Sequence, residues 1–242
     1  MHIDLDKAYY IAKKDLKEYY MKPGTISWGL MFPLVFSLAF MLKHGASLWL
    51  APGMISLALF FGSTSMSAMS IVFERKIGSF ERLLLFPVSY MGIALGKTLS
   101  SFILGIISMV PVLLLAGIMV NASPSNPLLL VVSIVVAAFT SSSFGVLVSF
   151  LVRDPSQTMT VFNLIRFPMM FLSDVIIPIP MEQPILVYLA YLMPLTYINE
   201  SIRYAYTGSY DLIPPIISLT LTFILGILFL YIASLVIKKS RP

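Results

Sequence analysis

The 242-residue chain is 58% hydrophobic and 11% charged, with 16 Lys and Arg against 11 Asp and Glu and a net charge of +5. Soluble domains carry about 25% charged residues, so this composition excludes a water-soluble enzyme or binding module and indicates an integral membrane protein. The basic excess falls in loops, with no basic patch interleaved with aromatics, which argues against nucleic acid, and zero cysteines removes disulfides, thiolate metal sites and cysteine nucleophiles.

The first twenty residues contain acids and lysines without an apolar core, so no cleavable leader is expected. Residues 3–22 place Leu5, Tyr9, Ala12, Leu16 and Tyr20 on one helical face, with Lys7, Lys13, Lys14 and Lys17 elsewhere. That is the pattern of a helix lying in the membrane interface. Pro23-Gly24 punctuates the chain, and Trp28 falls where an interfacial aromatic belongs.

A span needs about 20 apolar residues to cross roughly 30 Å of hydrocarbon. Runs at 26–42, 50–72, 99–120, 128–152, 156–179 and 212–237 approach or exceed that length, which predicts an all-α protein of six transmembrane helices in one domain over 1–242. The first run is short, so the bilayer thins or interfacial residues extend it, and Pro33 and Pro111 are expected to kink the first and third. Lys7, Lys13, Lys14, Lys17, Lys22, Arg75, Lys76, Arg82, Lys97, Arg153, Lys238, Lys239 and Arg241 then share one side, leaving Lys43 and Arg203 opposite and Arg166 inside the fifth run. Positive residues mark the cytoplasmic side, so both termini are predicted there, with Lys97 snorkelling to the boundary.

Between the second and third runs lies Phe73-Glu-Arg-Lys-Ile-Gly-Ser-Phe-Glu-Arg-Leu-Leu-Leu-Phe-Pro-Val-Ser-Tyr90. Phe73, Ile77, Phe80 and Leu84 recur at helical spacing, with Glu74, Arg75, Lys76, Glu81 and Arg82 on the remainder. Gly78-Ser79 offers a break with Ser79 as a new N-cap, and Pro87 ends the helical stretch. Two short surface helices are expected, fit to lie along a membrane face or to fill a partner's groove; the plainer reading is a solvated loop. Between the fifth and sixth runs, residues 180–211 are too apolar for a solvated loop, and the stretch from Ile185 to Met193 is too short to cross. A re-entrant or interfacial helical pair fits, tolerated at membrane depth when protein covers its broken backbone.

Gly96-Lys97-Thr98 ends like a phosphate-binding loop, yet Met91 stands where that loop's first glycine belongs and no strand precedes it, so no nucleotide site is read there. Arg166 must face protein or water, because a mid-bilayer charge costs at least about 2.5 kcal/mol; it is a substrate-path residue or a hub bonded to Asn163, Asp174 or a neighbouring subunit. Ser63, Ser67 and Ser70 form a polar stripe on the second run, and Thr140 to Ser143 cluster on the fourth. Such small residues let helices pack closely or line a route. Phe162, Phe167 and Phe171, with Met169 and Met170, are most simply read as lipid-facing. His2 and His44 lack clustered acids, so no metal site is expected. Asn121-Ala-Ser123 and Asn199-Glu-Ser201 are glycosylation sequons, a motif too short to carry weight. No serine, histidine and acid set converges, and the two halves do not repeat as in many secondary carriers.

The pattern Glu-Arg-Lys-x-Gly-Ser-Phe-Glu-Arg-Leu-Leu at 74–84, followed by Pro87-Val88-Ser89, resembles the loop after the second span of ABC-2 type transporter permeases. Pro194-Leu-Thr-Tyr197 and Arg203 resemble the downstream half of that family's signature, and Met170-Phe-Leu-Ser173 with Pro178 the upstream half. Asp174 departs from the small residue usual there, and the proline spacing is stretched. The resemblance implies that residues 73–90 are a coupling helix touching a separate cytosolic ATP-binding cassette subunit through Glu74, Arg75, Lys76, Gly78, Phe80, Glu81 and Arg82. It implies a dimer with a second permease copy or paralogue, ATP and Mg held by the partner ATPase, no cofactor or enzymatic site in this chain, and export across the cell membrane. Ser63, Ser67, Ser70, Phe162, Asn163, Arg166 and Phe167 are the candidate substrate path, and Pro194, Tyr197 and Arg203 the signature residues. The alternatives are a membrane anchor or biogenesis component that recruits a soluble partner, and an ion-coupled carrier. The substrate stays open.

Overall fold

The structure, a computed structural model, describes residues 4–45, 47–152 and 154–239; His2, Arg153 and Arg241 lie outside them. The described residues form helices and no strand. In order these are α1 (Leu5–Tyr19), α2 (Pro23–Ile26), a π-helical turn (Ser27–Met31), α3 (Phe32–His44), α4 (Leu50–Lys76), α5 (Ser79–Leu85), α6 (Tyr90–Val120), α7 (Pro127–Ser149), a 3₁₀ turn (Pro155–Gln157), α8 (Thr158–Leu172), α9 (Pro184–Leu192), α10 (Pro194–Thr207) and α11 (Pro215–Lys239). Five are long and apolar enough to cross a membrane: Pro23–His44 taken together, α4, α6, α7 and α11. The pair α9 and α10, bent by 94°, makes a sixth if counted as one span.

Helix α4 is the axis of the bundle, and every residue from Leu50 to Val72 is buried. It packs on α6, α7, α10, α8 and α3. Its small residues permit that crowding. A Cβ at Gly62 would strike Ser108 on α6, and one at Gly105 on α6 would strike Ser63 on α4, so the two helices exchange glycine for serine across one seam. The outer faces invert the soluble pattern. Val35 on α3, Ile107 and Leu114 on α6, and Ile216 and Ile224 on α11 are exposed, as lipid rather than water requires.

Several expectations are corrected. The first run is not short, because helix continues from Pro23 to His44, 22 residues. Its π-helical turn ends at Met31, two residues before Pro33 in the first turn of α3; widening the helix there relieves the proline ring's clash with the preceding turn. The fifth run does not give a span-length helix. Helix α8 has 15 residues, about 22 Å at 1.5 Å per residue, and ends where Asp174 takes a left-handed φ of 55° and its Oδ1 accepts the Ile179 amide at 2.8 Å. Helix α1, expected to lie in the membrane interface, also packs on the bundle mainly through residues that the interfacial pattern does not single out. Ala8, Ile11, Ala12, Asp15 and Tyr19 are buried, largely against α6, while Leu5 and Tyr9 are exposed.

Candidate functional site

The charged interval divides differently from its sequence pattern. Residues Phe73 to Lys76 finish α4, Gly78 turns the chain at a left-handed φ of 71°, and α5 begins at Ser79, so Gly78 and not Ser79 is the N-cap. Glycine suits that turn because it has no Cβ to clash. Phe80 is buried with its ring 5.7 Å from Phe150, and Leu84 is buried beside it, whereas Ile77 is exposed. Arg75 donates to the Val152 carbonyl at 3.2 Å and lies over the Phe150 ring at 5.5 Å. Glu81 is half-buried. Lys76, Ile77, Arg82, Leu85 and Phe86 are left facing outward.

Glu74 does not face outward at all. It is fully buried and pairs through Oε2 with Lys97 at 2.5 Å and through Oε1 with Lys14. Lys97 does not snorkel; it is fully buried and also meets Asp15 at 2.9 Å. One ammonium thus joins α1, α4 and α6. Two lysines face two acids, so the junction is neutral, and Ser100 adds a hydroxyl 3.4 Å from Asp15 Oδ2. Burial pushes the Asp15 carboxyl above its usual range against the pull of Lys97. Gly96 explains the Gly-Lys pair structurally: a Cβ there would press on Ile11 and on the Ala8 carbonyl, so its absence lets α1 settle where Asp15 reaches Lys97. Asp15 went unnoticed in sequence, although an acid four residues from Ile11 and from Tyr19 on one packed face was a signal.

The opposite end of α4 carries a second junction. Arg203 on α10 is buried and meets Asp211 at 2.8 Å, Asp174 at 3.2 Å and Glu200 at 3.3 Å, with the Trp49 ring 4.5 Å away. Trp49 donates its indole N–H to Asp211 at 2.6 Å. Glu200 Oε2 accepts from the backbone N–H groups of Asp211, Leu212 and Ile213, fixing the turn before α11. The Asp174 carbonyl accepts from Arg203 at 2.6 Å and from Asn199 at 2.8 Å. Buried and bonded, Asn199 is no glycan acceptor in this fold. The three carboxylates approach within 4.8 Å of one another, close enough for a metal ion, but Arg203 pairs with each of them. Burial pushes the Asp174 carboxyl up to about 7, with Arg203 pulling it down. Pro194 opens α10, and Tyr197 donates its hydroxyl to the Tyr191 carbonyl at 2.6 Å across the 94° bend.

The profile of the ABC-2 type transporter family matches residues 7–207, which takes in the Lys97 junction, the turn between α4 and α5, and Arg203 with Asp174 and Glu200 but not Asp211. The chain belongs to the ABC-2 type transporter family. It is similar to two proteins that bear the name "Putative transport permease ycf38". The one from Cyanophora paradoxa is 22% identical over 222 residues, 85% of this chain and 76% of that protein. The one from Porphyra purpurea is 22% identical over 207 residues, 79% and 71% of the respective chains. The chain is a multi-pass membrane protein of a transport family.

The remaining candidates of this ABC-2 type transporter fall in its interior. Ser63, Ser67 and Ser70 are buried on α4, where Ser63 meets Gly105 and Ser67 shares a hydrogen bond of 2.6 Å with Ser101. Phe162, Asn163 and Arg166 are buried on α8, and Phe167 is half-buried next to them. Arg166 bonds Asn163 at 3.4 Å but does not reach Asp174, which Arg203 holds. The serines and Arg166 therefore occupy separate seams, both touching α4.

Proposed function

We propose that this ABC-2 type transporter is the membrane half of an ATP-driven exporter, gripped on its cytoplasmic side by a separate ATP-binding cassette subunit and paired with a second permease. The observation that carries the reading is the turn between α4 and α5. Its buried half, Glu74, Phe80 and Leu84, ties into the bundle, while Lys76, Ile77, Arg82, Leu85 and Phe86 form an outward patch of two charges and three apolar side chains. Glu74 and Arg75 then transmit movement and do not touch the partner. Alongside runs a groove with Tyr10, Ile11, Leu83, Phe86 and Val88 in its walls and Lys7 and Lys14 at its rim. Phe80, Leu84, Ile11 and Ile237 share one cluster, so the turn, α1 and the Lys238-Lys239 end of α11 gather at a single end of the bundle. The lysines gathered there support taking that end as cytoplasmic. In this reading α1 lies at the inner interface, α5 is the coupling helix, and the bent α9–α10 pair reaches in from the outer side. ATP and Mg belong to the partner.

The test is a charge reversal on the exposed patch. With Lys76→Glu and Arg82→Glu, the ATPase that copurifies with the wild-type chain in mild detergent should be lost, while membrane insertion and melting temperature stay unchanged. An undiminished ATPase in the preparation would refute the grip. A wild-type chain that brings down some other soluble protein would mark an anchor, and one that brings down nothing, a self-sufficient carrier.

A further inference from the structure

Among the described residues, Arg166 is the one strongly buried charge that the two junctions leave over. It stands near the middle of α8 and is 1% exposed. Phe61 and Phe162 cover its guanidinium at 4.9 and 5.0 Å. Those rings attract the cation but satisfy none of its N–H donors. Nη1 reaches Asn163 at 3.4 Å; Nε and Nη2 are buried without a partner among the described residues. No described acid forms an ion pair with it. Asp174, eight residues on, is committed to Arg203 and to the Ile179 amide.

We infer that this open edge binds one oxyanion, and that the transported or regulating ligand is an acidic amphiphile with a single carboxylate or phosphate on an apolar body. Nε and Nη2 form the parallel N–H fork that matches two oxygens of a carboxylate or phosphate, which a lysine cannot reproduce. The surroundings fit the apolar body. Phe167 follows Arg166 and packs 6.4 Å from Trp28 and 6.2 Å from Phe32. Phe32 in turn lines an open groove with Met31, Val35, Phe36 and Ala39 on the lipid-facing side of α3. An aromatic wall thus connects the fork to the membrane, and its rings must swing aside to admit the headgroup. The inference deepens the exporter reading by naming a ligand class.

The purified full-length chain in detergent is offered dioctanoyl phosphatidic acid, dioctanoylglycerol or inorganic phosphate, and retention is read by native mass spectrometry. Phosphatidic acid should be retained and dioctanoylglycerol, which differs only by the phosphate, should not. Arg166→Gln should weaken phosphatidic acid retention by about tenfold or more, and Arg166→Lys, which keeps the charge without the fork, by less. Displacement of phosphatidic acid by inorganic phosphate would support the fork and assign it to free oxyanions as well. Equal retention of both lipids, or a wild-type response from Arg166→Gln, overturns the inference. If Arg166→Gln does not fold, a photoactivatable phosphatidic acid headgroup on the wild type decides: adducts on α8 or at Phe61 support the site, and adducts confined to the α1 lysines refute it. No ATPase enters this assay, so its failure leaves the exporter reading standing, and failure of the ATPase to copurify leaves this site standing.

Discussion

Replacing Lys97 with leucine is expected to lower stability by about 3–5 kcal/mol, the cost of leaving one side of a buried ion pair uncompensated. The fully buried carboxylates of Asp15 and Glu74 would then share only Lys14, whose side chain is 39% exposed and so a weaker, partly screened partner. Because Lys97 is the link among α1, α4 and α6, the loss should appear first as detachment of α1, read as protease cleavage between Tyr19 and Pro23 before the bundle melts. Adding Asp15→Leu should recover most of the deficit, since Lys14 and Glu74 then remain as a balanced pair. Unchanged melting and unchanged proteolysis in Lys97→Leu would show that the junction contributes nothing.

The second large effect is expected at Arg203. Arg203→Met strands Asp174, Glu200 and Asp211 within 4.8 Å of one another, again with a loss of about 3–5 kcal/mol. Here the deficit depends on pH. The folded Asp174 carboxyl sits near 7 against an ordinary 3.8, so the folded state holds this proton more tightly than the unfolded chain does. Stability from this group is therefore greatest below about 4 and declines as pH rises towards 7. Without the guanidinium the Asp174 carboxyl titrates higher still, so Arg203→Met should be far less stable at pH 8 than at pH 5. Asp174→Asn, which keeps an oxygen for the Ile179 amide, should flatten the wild-type slope between those values. A pH-independent deficit in Arg203→Met would mean that its loss of packing on Trp49, not the charge imbalance, is what matters.

Both junctions explain what the sequence did and did not disclose. Apolar runs betray themselves by length, so five of the long helices were legible within a few residues, apart from the start of α6, which runs on through Lys97 to Tyr90. The run at 156–179 was misread because composition does not reveal that Asp174 turns away to meet Arg203, 29 residues later. Glu74 reads as outward because it falls off the Phe73, Ile77, Phe80 and Leu84 face, and Lys97 as snorkelling because it lies near the inner boundary. Their pairing crosses three helices and has no local signature. On α1 the interfacial pattern picks out the large Leu5 and Tyr9, which stay exposed, whereas contact with α6 buries small Ala8 and Ala12 and is not visible in that pattern. The motif around Gly78 marked the right turn while hiding which of its charges point inward.

The central claim is that the turn between α4 and α5 lies on the cytoplasmic side and is held there by another polypeptide. The chain has no cysteine, so Arg82→Cys gives a single reporter in an otherwise wild-type background. A membrane-impermeant maleimide should label it in inverted vesicles and not in intact cells, and the ATPase-bound complex should protect it. Labelling of intact cells from the outside would contradict the account.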